Sequence, residues 1–136
     1  MILKRVIFIL FFLVLSFNFY KLQAIENKIL FKIDDELITS IDIYNQTKYL
    51  KSLNQEIQNL SEQDIFEISK KTIIKEKIKK TELLKNNIKL NLDDKVLNPF
   101  IRSVFKPLNI NNLNEYKDFI NLLDLNFEPM KEKLII

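Results

Sequence analysis

The sequence predicts a mostly helical domain, opened by a short β-hairpin and followed by about five helices. Three observations predict it. Apolar residues recur at helical spacing through most of the chain, helix-start signals stand ahead of those runs, and only Lys28 to Thr39 has the period of strands.

Ahead of that domain, Lys4 and Arg5 form a short basic region, and Val6 to Leu15 an unbroken apolar run extended through Ser16 and Phe17. Leu22-Gln23-Ala24 then gives a polar end closed by a small residue. This is the order of a secretory signal peptide, with cleavage expected between Ala24 and Ile25. A permanent membrane helix needs about 20 apolar residues, more than this run supplies. Counting Phe19 and Tyr20 lengthens it, so an uncleaved inner-membrane anchor is the alternative. The organisation expected is a signal peptide at 1–24 and one domain at 25–136, without repeat or linker.

Cleavage changes the charge. The chain has 21 basic and 18 acidic residues, but Lys4, Arg5 and Lys21 lie in the leader and no acid does. The exported part therefore carries no formal net charge. Nucleic-acid binding needs a basic surface excess, so no nucleic-acid partner is expected. The lysines between Lys70 and Lys85 read as a solvated helix face.

Composition excludes more. The chain has no Cys and no His, which removes thiolate and imidazole metal sites and the Cys–His and Ser–His nucleophiles. It has no Gly either, so no glycine-rich phosphate cradle exists. No cofactor, metal or catalytic residue is assigned, and an enzyme is not expected. Without Gly, left-handed backbone positions must fall to Asn or Asp. The acidic pairs Asp34-Asp35 and Asp93-Asp94 sit at an expected turn and an expected helix start, where local backbone chemistry favours acids.

The elements follow in order. Lys28 to Ile33 alternates as a half-buried strand, Asp34-Asp35-Glu36 turns, and Leu37-Ile38-Thr39 returns. Thr39 or Ser40 caps the first helix, with Asp42 in its first turn and a stripe of Ile43, Leu50, Leu53 and Ile57. Ser61 with Asp64 opens a long helix over 62–85, where Phe66, Ile73, Ile74, Ile78 and Leu84 share a side and Asn87 ends it in left-handed conformation. Val96-Leu97, Phe100-Ile101 and Val104-Phe105 make a wide stripe interrupted by Pro99. Either a helix from about Leu92 kinks at Pro99, or Asn98 caps a new helix there. Asn112 with Glu115 starts the fourth helix, striped by Leu113, Tyr116, Phe119, Ile120 and Leu123. Phe127, Met130 and Leu134 form a last pattern that reaches the C-terminus without a stop signal, as in a truncated helix.

The leader, the strand Ile29 to Ile33, the acidic turn and Leu37-Ile38-Thr39-Ser40-Ile41-Asp42 together resemble the N-terminal region of SurA-like periplasmic chaperones. Ile73 to Ile78, running on to Asn87-Ile88-Lys89-Leu90, resembles that family's long helix and its exit, and Tyr116 to Ile136 resembles the short helices that follow. The resemblance spans most of residues 27–136. It implies a periplasmic holdase that binds unfolded outer-membrane polypeptides without nucleotide, touching the membrane transiently through its leader. The parvulin prolyl isomerase domains usual in that family are absent, so isomerase activity is not carried over unless the chain is a fragment of a longer isomerase. A holdase needs exposed apolar surface. The residues assigned to a client groove are Phe100, Val104, Phe105 and Phe119, for which core packing is the competing reading. A homodimer is also expected, through the hairpin's open edge.

Overall fold

The computed structural model describes residues 26–136, so the expected leader and the Ala24/Ile25 cleavage point lie outside the described residues. Strands β1 (Ile29–Ile33) and β2 (Glu36–Thr39) form the hairpin. Six α-helices follow: α1 (Ser40–Leu53), α2 (Gln55–Gln58), α3 (Glu62–Lys85), α4 (Asp94–Val104), α5 (Leu113–Leu122) and α6 (Phe127–Lys133), with a 3-10 turn at Lys106–Leu108. The mostly helical fold with its short hairpin is therefore as the sequence predicts.

The hairpin is antiparallel, pairing Phe31 with Ile38 and Ile33 with Glu36, with an irregularity between Ile29 and Phe31. Asp34 supplies its left-handed turn residue at φ 50°. Phe31, Ile33 and the fully buried Ile38 pack on Ile43 of α1 and on Ile73 and Ile74 of α3, forming a small first core. That packing supplies what an isolated two-stranded hairpin lacks in water.

Thr39 and Asp42 cap α1 reciprocally. The Asp42 N–H donates to Thr39 Oγ1 at 3.3 Å, and the Thr39 N–H donates to Asp42 Oδ2 at 2.8 Å. The expected stripe needs two corrections. The helix ends at Leu53, because Asn54 turns extended and caps α2 by accepting from the Glu56 N–H, so Ile57 belongs to the next helix. Its buried residues are Ile43, Gln46 and Tyr49.

The boundaries of α3 are as expected, but its inward side is not. Ile65, Ser69 and Ile73 are buried, whereas Phe66, Ile78 and Leu84 are exposed. The Ser69 hydroxyl reaches Thr47 on α1 at 2.8 Å, a satisfied polar contact that a search for apolar residues passes over. Farther along, the inward side is ionic: Lys77 pairs with Glu36 of the hairpin and Lys80 with Glu132 of α6, both at 2.6 Å. At the end of the helix, Asn87 takes φ 56° while the N–H groups of Asn87 and Ile88 donate to the Leu84 and Leu83 carbonyls, a Schellman ending.

The second, larger core lies between the end of α1 and the C-terminal helices. Tyr49, Leu97, Ile101, Phe105, Tyr116, Ile120 and Met130 are among its buried residues. The Tyr116 ring lies 5.0 Å from that of Phe105, and its hydroxyl meets both the Tyr49 hydroxyl at 3.1 Å and the Met130 carbonyl at 3.2 Å. Pro99 stands inside a continuous α4 that starts at Asp94, so of the two sequence readings a single helix through Pro99 holds and a fresh cap at Asn98 does not. The Asn98 side chain instead accepts from the Leu113 N–H at 2.8 Å and fixes the start of α5. Helix α6 ends at Lys133, and the N–H groups of Leu134 to Ile136 donate back to the carbonyls of its last turn.

Candidate functional site

The apolar pairs of α4 divide between two faces. Leu97, Ile101 and Phe105 point into the larger core, which holds the helix rigidly. Val96, Phe100 and Val104, four residues apart, point outward and are 55%, 45% and 51% exposed. Leu92, just ahead of the helix, is also exposed. An i, i+4 row of this kind is a raised ridge along one side of a helix. Large apolar side chains in contiguous exposure are uncommon on a monomer and mark binding surfaces.

The four residues assigned to a client groove from sequence do not come together. Phe100 and Val104 lie on this ridge. Phe105 is a correction: at 4% exposed, stacked against Tyr116, it is a core residue, because it follows Leu97 and Ile101 on the inward row. Phe119 is half-buried against the same core, its ring 6.4 Å from that of Tyr116. Val96 belongs to the ridge and was missed. Its signal was the four-residue spacing through Phe100, read as half of one wide stripe instead of as a separate face.

A second exposed apolar patch lies on the hairpin and the start of α1, where Ile29, Leu37, Ile41 and Tyr44 face outward. The hairpin is two-stranded, so each strand also keeps an outer edge. Such an edge presents unpaired backbone groups to any extended chain.

A cleft of about 380 Å3 lies between α3 and α6, lined by Asp42, Asn45, Glu76, Lys77, Lys80 and Lys133 among others. Its lysines are engaged. Lys133 pairs with Glu76 at 2.8 Å, bonds the Gln46 side chain, and lies 5.9 Å from the centre of the Tyr49 ring. Burial pushes the Tyr49 and Tyr116 hydroxyls above their usual range, so both stay neutral donors and acceptors. The hydrogen bond from Lys77 holds the Glu36 carboxyl below its usual range. These groups satisfy one another and form an ionic seam that docks α6 on α3. Among the described residues no group of acidic side chains is placed to hold a metal ion, and no helix is long and apolar enough to cross a membrane.

Comparison with protein-family models, with curated proteins and with solved structures found no match for this chain.

Proposed function

We propose that the chain is a periplasmic holdase-type chaperone module that binds unfolded outer-membrane polypeptides through apolar surface and without nucleotide. One observation carries the reading. The ridge of Val96, Phe100 and Val104 is exposed on a helix whose other side is anchored in the core, so the surface is displayed without loss of fold. A rigid ridge loses little entropy when an apolar segment settles on it. Outer-membrane strands alternate apolar and polar residues, so an unfolded one presents an apolar side chain at every second position. The outer edges of the hairpin offer such a segment backbone hydrogen bonds as well. The leader-like start of the chain, Lys4 to Ala24, supports export to the compartment where these clients pass.

The test is light scattering from a denatured porin diluted into buffer with the purified chain. The proposal predicts suppression near stoichiometric ratio and no effect on a folded soluble protein. Unchanged scattering at several-fold excess, from a sample folded by circular dichroism, would end it.

A further inference from the structure

We infer that the chain works as a hinged clamp: residues 26–85 and 94–136 turn against each other about the linker 86–93, and a polar clasp between α3 and α6 holds them shut. Each half has its own core. Phe31, Ile33, Ile38, Ile43, Ile73 and Ile74 make the smaller one, wholly within the first half. The larger one belongs to the second half except for Tyr49 and, at its margin, Leu53. Backbone packing divides in the same way. Helix α3 lies along α1 and β1, α4 on α5, and α5 on α6, while no helix of one half runs as closely along a helix of the other. The cleft falls on this division, with Asp42, Ile73 and Glu76 on one wall and Asn126, Pro129 and Met130 on the other.

Polar groups bridge the division. Lys133 reaches Glu76 at 2.8 Å and the Gln46 side chain, and Lys80 pairs with Glu132 at 2.6 Å. Lys48 donates to the Leu123 carbonyl at 2.9 Å, and the Tyr49 and Tyr116 hydroxyls meet at 3.1 Å. Water replaces bonds of this kind when both partners separate, so opening costs much less than parting an apolar interface. Halves joined without a large hydrophobic interface move relative to one another. The linker suits a hinge, since it lies outside every helix and strand, is exposed except at Leu90, and includes the left-handed Asn87. Such loop positions absorb the backbone rotation of domain opening.

The hinge rests on this division alone. Its use rests on the proposed function: opening uncovers Tyr49, Leu53 and Met130, a second apolar surface for an unfolded segment.

A distance measurement across the cleft tests it. The chain has no Cys, so Lys79→Cys on α3 and Glu128→Cys on α6 take two spin labels in the full chain. Both positions are exposed and outside the clasp. Pulsed dipolar spectroscopy should give one short distance at low salt. A longer one should grow in as salt rises and screens these part-exposed pairs. Lys133→Met keeps a stem beside Tyr49 but removes the charge, and should raise the longer population roughly tenfold. Exchanging the pair, Lys133→Glu with Glu76→Lys, should return that population toward the parent value, which lost packing alone does not explain. Circular dichroism checks that each variant is folded, and the salt series needs no clasp variant. One unchanged distance across the salt series overturns the inference. So does a longer population that the exchange fails to lower. A clamp that opens with salt yet ignores added denatured porin would leave the hinge standing and sink its use for clients.

Discussion

Among the described residues four take a left-handed backbone, Asp34, Asn87, Asn109 and Asp124, and all are Asn or Asp, as a chain without glycine requires. Each ends an element or turns between two; the residue types were legible in composition, and the helix-end pattern located Asn87. At Asn87, Ala should cost about 1 kcal/mol while Gly should be neutral or stabilising, measured by chemical denaturation. Equal losses for both would show that the Asn side chain, not the backbone, matters there. Charge at single residues predicts a pH dependence. Glu36 is held below its ordinary value of 4.5, first by the hydrogen bond from Lys77, and Glu115 is lowered chiefly by the Asn111 backbone N–H. A depressed carboxyl adds stability above its unfolded value, and that stability is lost as pH falls through the folded value. Denaturation midpoints should therefore drop on acidification below pH 4.5, and Glu36→Gln should flatten the profile. An unchanged slope in that variant would refute the assignment. Gln46 and Ser69 were illegible because a polar residue enters a core only when a distant partner satisfies it, here Lys133 and Thr47.

At the scale of the element, caps fixed the starts of helices and periodicity located them. The bounds of α3, a cap at Thr39 with Asp42 in the first turn, and the Asn112 start agree with the sequence. The ionic seam between α3 and α6 was hidden, since Lys80 and Glu132 lie 52 residues apart and ion pairs leave no periodic trace. The most direct test of an element is Pro99. It lacks the N–H that would bond the Lys95 carbonyl, yet α4 runs through it unbroken, with the proline exposed. Replacing it with Ala restores that bond and loses little packing. Pro99→Ala should stabilise the protein by about 1–3 kcal/mol, read as a higher denaturation midpoint. Destabilisation would mean that the backbone constraint Pro99 imposes is required to seat Leu97 and Ile101 together.

The described residues gather their buried apolar side chains in two cores and leave others exposed, among them the ridge of α4 and the patch on the hairpin. The hairpin and the middle of α3 enclose one core, the C-terminal helices the other, and α1 contributes to both through Ile43 and Tyr49. Sequence periodicity showed α4 to be apolar on a wide arc. It did not show which half of the arc is covered, because that depends on where α5 and α6 dock. Phe105 and Phe100 therefore looked alike in the sequence, and only packing separates the core residue from the exposed one. The central claim is that the exposed half holds unfolded chains. It is tested most directly by measuring porin aggregation with the protein and with its Phe100→Ser, Val104→Ser double variant. Both side chains lie outside the core, so the variant should fold and melt like the parent while its suppression of scattering falls several-fold. Suppression that survives intact in a folded double variant would contradict the claim and move client binding away from α4.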